Sequence, residues 1–376
     1  MQSNRRTFLA TAGLSTGLAA TPIKAAAMTM GAKEGMEHFG PLAGEALLSR
    51  NENPYGPSPA AIQAISETAK MGCFYADRGL RHLQSLIAER NNVPPSQVVV
   101  GSGSTEILCA IALAWGEKGA IMGPGLFWDT TVKYGERQGV KAIRVPLASD
   151  MGVDLDAMAA QTDDTVSLIQ ICNPNNPTGM LIDNTKLRAF AAKVIPQATL
   201  LVDEAYNELT DAPEASSLVD LARAGQDVII CRTFSKIYGM AGMRVGYAIT
   251  TEENAERIRG YLMSFGGNVA GIAGAIASYQ DTGFLESSKR KVVEGREMIL
   301  DAVKTAGLTA LPSQTNFVYV KVPDADKVQA AMAKRGVRIR GAYGDWTQFS
   351  RVSTGMLSDV ERYAKALPDV IDEQFG

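Results

Sequence analysis

Histidine is nearly absent from this chain: only His38 and His82 occur in 376 residues. A three-histidine metal site is therefore excluded, and proton transfer has to rest mostly on other groups. Cysteine is sparse too, with Cys73, Cys109, Cys172 and Cys231 widely spaced and no C-x-x-C. That argues against a zinc knuckle, and a chain of this length needs no disulfide framework. Neither sign of charge dominates: the net charge is −3 and the isoelectric point is near 5.7. No broad basic field exists to hold a nucleic-acid backbone or an anionic membrane surface. Outside the N-terminus no apolar run is long enough for a membrane span, so no stable membrane anchor is expected. The 36 glycines and 16 prolines follow no triplet period, which excludes collagen. What is present is a globular composition, 46% hydrophobic and 20% charged, with material for two or three domains. Disorder requires low hydrophobicity and high net charge, and neither applies.

The first residues read MQSNRRTFLATAGLSTGLAATPIKAAAM. Arg5 and Arg6 precede an apolar stretch from Phe8 to about Ala20, and small residues follow to Ala27. A basic start, a short apolar run and an A-x-A-like exit describe an export signal. The arginine pair resembles the twin-arginine address, read by an export machinery that carries folded proteins. Residues 1–27 are thus expected to be a signal peptide and the mature protein to be periplasmic.

The rest alternates short apolar runs with helical patterns. Strands are predicted at Val98–Val100, Ala120–Met122, Lys141–Val145, Val166–Cys172, Thr199–Val202, Val228–Cys231 and Val245–Ile249. Helices are predicted over Pro59–Met71, Leu80–Arg90 and Thr105–Trp115, while Met28–Pro59 reads as irregular. Alternation of this kind implies an α/β fold with a mainly parallel sheet covered on both faces. After about Thr282 the texture becomes that of a smaller α+β domain. It starts with a charged helix, Phe284–Ala306, and continues with strands at Asn316–Val322, Val337–Arg340 and Ser350–Ser353.

In open parallel sheets ligands bind beyond the C-terminal strand ends, and five strings there carry chemistry. VVVGSGSTE is a strand, a Gly-rich turn and a helix start, a geometry that suits phosphate. It lacks both G-x-G-x-x-G and G-K-[ST], so alone it reads as an ordinary βα turn. ICNPNNPTG is a proline-locked turn presenting asparagine amides. LLVDEAYNEL places Asp203 at a buried strand end, where a carboxylate needs a cation, donors or a helix-capping role. CRTFSKIYGMAGMRVGY carries Lys236 and Arg244 after a strand. SRVSTG carries Arg351, whose planar guanidinium suits a carboxylate.

Together, in this order, the strings resemble fold-type I pyridoxal-phosphate-dependent aminotransferases of class I/II, and within them the histidinol-phosphate aminotransferase branch. The resemblance runs from NENPYGPSP near the start to SRVSTG near the end. It implies an N-terminal arm with part of a small domain over 28–70, a large cofactor-binding domain over 71–282 and a C-terminal small domain over 283–376. It also implies a ping-pong reaction in which an L-amino acid gives its amino group to a 2-oxo acid.

The residue roles follow from the resemblance. Lys236 matches the lysine that forms the Schiff base with pyridoxal 5'-phosphate and later moves the α-proton, and its amine has to be unprotonated to attack a carbonyl. Asp203 matches the acid paired with the pyridinium nitrogen. Tyr206 and Asn176 match the partners of the ring's phenolic oxygen, with Asn176 also near substrate. Ser104, Thr105, Thr233, Ser235 and Arg244 match a phosphate cup. Trp128 matches the aromatic that stacks on the ring, favoured over Phe127 by counting back from Gln138-Gly139-Val140. Tyr75, in CFYADRG with Ala76 at the usual proline position, matches a tyrosine reaching the phosphate of a neighbouring subunit, which implies a homodimer with a shared site. Arg351 matches the clamp on the substrate α-carboxylate, and Tyr55 an arm residue lining the substrate site. Arg340, in VRIRGAYG, either selects an acidic group or faces solvent.

Histidine biosynthesis is cytoplasmic, so an exported enzyme is expected to act on free amino acids. Strict histidinol-phosphate specificity remains an alternative, as do racemisation and β-elimination on the same scaffold. Outside enzymes the rival reading is a periplasmic solute-binding module, which gives no reason for Lys236, Asp203 and Arg244 to appear in these strings. Cys172 and Cys231 fall on predicted buried strands and Cys109 on a buried helix, where free cysteine behaves as a small hydrophobe.

Overall fold

The computed structural model describes residues 38–376. The predicted signal at 1–27, and the start of the 28–70 segment, lie outside the described residues. The chain divides into two units, Met1–Leu42 and Ala43–Gly376. Of the first, His38–Leu42 is described, as exposed turns.

The second unit is built on a seven-stranded sheet. Its strands are β2 (Val98–Gly101), β3 (Ala120–Pro124), β4 (Ala142–Val145), β5 (Val166–Cys172), β6 (Thr199–Asp203), β7 (Val228–Thr233) and β8 (Gly246–Ile249), in the order β2-β8-β7-β6-β5-β3-β4. All neighbours are parallel except around β8, which runs against both β2 and β7. The expected parallel sheet is therefore present with one reversed strand. A four-residue apolar run carries no mark of its direction, so the sequence pattern does not reveal the reversal.

The central strands are near-continuous apolar runs because both faces are covered. Successive side chains feed two different cores, as a period of two requires. Ile169, Ile171, Leu200, Val202, Val228 and Ile230 join Leu83, Ile87, Phe190 and Ile272 on one face. Leu168, Leu201, Ile229 and Cys231 join Ile107, Ile111 and Trp115 on the other.

A third core gathers Ile299, Val318, Val320, Met332, Val352, Val360 and Leu367 with Ala46 and Leu48. It lies around the charged helix Thr282–Thr305 and the antiparallel strands β9 (Thr309–Ala310), β10 (Phe317–Lys321) and β12 (Phe349–Ser353). The segment read as irregular contributes strand β1 (Ala46–Leu47), which pairs in parallel with β11 (Val337–Arg338). Two residues are too short to show a period, and the pairing is fixed from outside. Leu48 N donates to Arg338 O at 2.8 Å, and Leu48 O accepts from Ser353 N at 2.8 Å. This stitching carries residues 49–52 to the C-terminal edge of the large sheet. The four cysteines are free thiols, with Cys172 and Cys231 buried as expected.

Candidate active site

Strands β5, β6 and β7 end in register, Cys172 beside Asp203 and Asp203 beside Cys231. Beyond these ends lies a cavity of about 560 Å³. Twelve of the fourteen residues singled out from sequence line it: Ser104, Thr105, Trp128, Asn176, Asp203, Tyr206, Thr233, Ser235, Lys236, Arg244, Arg340 and Arg351. Phe127 instead packs into the core, its ring against Gly123, so Trp128 is the aromatic that faces the cavity.

One end of the cavity is shaped for an anion. The helix Gly103–Gly116 starts there, and Ser102 at its N-cap makes no side-chain capping bond. Free N–H groups and the helix dipole favour negative charge at such a start. Gly103 has φ +76°, and a Cβ on it would sit 2.3 Å from the Arg244 guanidinium. A Cβ on Gly246 would sit 2.2 Å from Ser104 N. Both glycines thus allow the helix start, β8 and Arg244 to crowd together. The Ser235 hydroxyl accepts from Thr233 Oγ1 at 2.9 Å and from Arg244 Nη1 at 3.4 Å. A guanidinium, three hydroxyl-bearing side chains and an uncapped helix start fit a phosphate.

The middle holds two buried ionisable groups of opposite charge. Lys236 makes no ion pair with a carboxylate among the described residues. Burial, with help from the positive charge of Arg351, pulls its pKa from 10.5 to about 8, against the opposing pull of Asp203. Burial raises the Asp203 pKa from 3.8 to about 6, opposed by the Ala205 N–H and by Lys236. Asp203 accepts one bond, from Ala205 N at 3.1 Å. A buried carboxylate so poorly partnered fits a ring N–H⁺ placed before it. Tyr206 accepts from Asn51 Nδ2 at 3.1 Å and from Asn176 Nδ2 at 3.4 Å, leaving its own proton free to be donated. Burial pushes its pKa up, so it stays a neutral phenol.

The far end is cationic. Arg351 is 6% exposed, and its guanidinium donates to Asn176 Oδ1 and Ser49 O, both at 2.7 Å. Its Nε has no partner. Arg340 pairs with Arg351 through the backbone but is itself exposed. The Tyr343 ring lies close to both guanidiniums, 5.0 Å from that of Arg340 and 5.5 Å from that of Arg351.

Tyr55, expected at this cavity, lies elsewhere, and Tyr75, expected at the site of a neighbouring subunit, is on the surface. Tyr55 does not line this cavity: its hydroxyl accepts from Leu357 N at 2.9 Å, and Lys291 Nζ sits 4.1 Å from its ring centroid. The arm reaches the site through Ser49, Arg50, Asn51 and Glu52 instead. Tyr75 is 73% exposed on the surface, its ring 4.5 Å from that of Phe265. Asn51, Thr130 and Tyr343 were not singled out, although Asn51 stands in NENPYGPSP and Tyr343 in VRIRGAYG. Also missed is the buried pair Glu204–Arg232 beneath the site, 2.8 Å apart. Glu204 directly follows Asp203, and Arg232 directly precedes Thr233.

Residues 45–367 match the model of the family described as aminotransferase class I and II. The chain is 33% identical over 328 residues to a histidinol-phosphate aminotransferase of Brevibacillus brevis, covering 86% of this chain and 90% of that one. It is 34% identical to one of Methylobacillus flagellatus, covering 86% and 88%. The crystal structure of the histidinol-phosphate aminotransferase of Sinorhizobium meliloti in complex with pyridoxal-5'-phosphate superposes with a TM-score of 0.80 at 30% identity, covering 88% and 91%. The anion recess, the unpaired Asp203 and the free-standing Lys236 amine are what that cofactor requires of a cavity. The chain belongs to the aminotransferase class I and II family and is a pyridoxal-phosphate-dependent aminotransferase.

Proposed function

We propose that this enzyme exchanges the amino group between an L-amino acid and a 2-oxo acid. One observation carries the substrate half of that reading: Arg351 is a buried guanidinium with an unpartnered Nε and no carboxylate partner among the described residues. A buried cation of this kind is costly unless an anion completes it, and its planar fork suits a carboxylate. In this reading Arg351 holds the α-carboxylate and thereby aims the substrate Cα at Lys236. The Lys236 amine then takes the proton from that Cα and returns it elsewhere along the reacting bonds. Bound pyridoxal phosphate supplies the carbonyl that takes up the amino group and the ring that accommodates the electron pair left at Cα. Asp203 holds the ring nitrogen in its charged form, and Tyr206 and Asn176 hold its phenolic oxygen. Ser104, Thr105, Thr233, Ser235 and Arg244 hold the phosphate, and Trp128 covers one face.

A second reading is supported by the relatives' names and by Arg340. An exposed cation at the cavity mouth, with no acidic partner among the described residues, suits a second anionic group, either an acidic side chain or the phosphate of histidinol phosphate. A panel of single-turnover reactions distinguishes the two. Free L-amino acids are expected to react with holoenzyme, with acidic ones preferred and keto acids as products. Arg351→Ala is expected to raise KM for carboxylate donors by about tenfold to a hundredfold, the loss of a charge-assisted bidentate contact. A strong preference for histidinol phosphate, indifferent to Arg351→Ala, would assign the second reading. Racemised or eliminated products would show that the scaffold runs another reaction.

We also infer export from the Arg5-Arg6 signal and self-association through the exposed surface around Tyr75 and Phe265. The full-length chain is expected in the periplasmic fraction of a host with a twin-arginine pathway. Arg5→Lys with Arg6→Lys is expected to retain it in the cytoplasm. Equal export of both would discard the signal.

A further inference from the structure

Glu106 is an odd neighbour for a phosphate. It stands one residue after Thr105, in the first turn of the helix whose start forms the anion recess. A carboxylate suits a helix N-terminus but repels a phosphate dianion bound there. Each of its oxygens is committed to a different segment. Oε2 accepts from Ser102 N at 2.5 Å, within the recess turn. Oε1 accepts from Met263 N at 3.2 Å, in the loop between the helices Glu252–Arg259 and Val269–Gln280. Gly101 and Gly266 lie close against the two oxygens, where a Cβ would come within 3.0 Å and 3.3 Å of them.

That loop is tied to the recess at its other end as well. Asn268 Nδ2 donates to Met243 O at 2.9 Å, and the next residue is Arg244. Between the two ties the loop thrusts apolar side chains into solvent: Met263 is 68% and Phe265 64% exposed. Phe265 takes φ +60°, a conformation costly for a bulky residue, and its ring packs on the equally exposed Tyr75. Large exposed aromatics held in a strained loop point to a covered face. The partner is a second copy of this chain, an assignment resting on the aminotransferase reading given above.

We propose that Glu106 is a positioning residue that clamps the phosphate recess to the self-association loop, so that cofactor retention and pairing of the two subunits strengthen each other. Its carboxylate holds both backbone segments at once, and a single amide oxygen cannot. Linkage then requires reciprocity: pyridoxal phosphate tightens self-association by the same factor by which self-association tightens pyridoxal phosphate.

The test measures two equilibria on the full chain. One is the dissociation constant of pyridoxal phosphate, titrated into cofactor-free protein and followed by absorbance. The other is the subunit dissociation constant with and without cofactor, from sedimentation. Glu106→Gln is expected to weaken pyridoxal phosphate by about tenfold or more and to bring the coupling factor toward one. Phe265→Ala, which removes an exposed ring packed on Tyr75 and leaves the residues of the recess in the same subunit in place, is expected to weaken both equilibria together. Unchanged cofactor affinity in Glu106→Gln would overturn the proposal, whether or not its cofactor-free form melts lower. So would a Phe265→Ala variant that dissociates yet holds cofactor like the parent. Failure of the parent itself to bind pyridoxal phosphate would overturn the enzyme reading instead.

Discussion

Lys236→Ala is expected to abolish transamination, lowering turnover by at least roughly 10³-fold, since positioned proton transfer alone contributes about 10²–10⁴-fold. Among the described residues it is the sole lysine lining the cavity, so no neighbour there replaces it. The variant is also expected to lose the covalent hold on the cofactor, seen as release of pyridoxal phosphate on gel filtration while the fold is kept. Its environment explains why this lysine can act. With a pKa of about 8 rather than 10.5, the free-amine fraction at pH 7 rises from about one in 3,000 to about one in ten. Burial disfavours the ammonium, and that cost outweighs the attraction of Asp203. Uptake of pyridoxal phosphate by cofactor-free protein is accordingly expected to speed up as pH rises, half-maximal near pH 8 and level above it. The sign also carries to stability. Between about pH 8 and 10.5 the unfolded chain binds the Lys236 proton and the folded chain does not, so this group makes cofactor-free protein more stable as pH rises through that window. A turnover in Lys236→Ala within tenfold of the parent, or a pH-independent uptake rate, would remove Lys236 from the chemistry.

The second large effect is on stability. Glu204→Ala is expected to cost about 3–5 kcal/mol, because it strands a largely buried Arg232 without its counter-charge. Glu204 is fully buried. Its Oε2 accepts from Arg232 Nε and Nη2 at 3.0 and 2.8 Å and from Ser217 Oγ at 2.9 Å, while Oε1 accepts from Leu218 N at 3.2 Å. Every lone pair that burial would leave wanting has a donor. Replacing both Glu204 and Arg232 by methionine is expected to recover most of the loss, since neither member of the pair is then left facing an absent partner. Denaturant unfolding of the single and double variants measures this directly. A single-variant loss below about 1 kcal/mol would show that water reaches Arg232 freely. The pair also matters for the site: it locks the end of β6 to the end of β7, where Asp203 pairs with Cys231. Glu204→Ala is therefore expected to weaken cofactor binding beyond its effect on the fold.

Much of the site was legible in the sequence because its chemistry is local to strand ends. Asp203 closes an apolar run and Lys236 follows another after a short turn, where a parallel sheet puts its ligands. The helix start at Gly103 was marked by glycines. The alternation of apolar runs and helical patterns specified an α/β sheet, and composition alone excluded a histidine-rich metal site. Other features depended on contacts between residues far apart in the chain. Asn51 meets Tyr206 across 155 residues, and Arg351 meets Ser49 across 302. Neither meeting leaves a period or a spacing to read. The same holds for the reversal of β8, for the displacement of Tyr55 toward Leu357, and for the two-sided grip of Glu106. The sequence determined which residues could do chemistry, because residue type and strand ends are local properties. Only the tertiary structure decided which of them share one cavity and how burial tunes them, because desolvation and pairing arise when distant segments pack together.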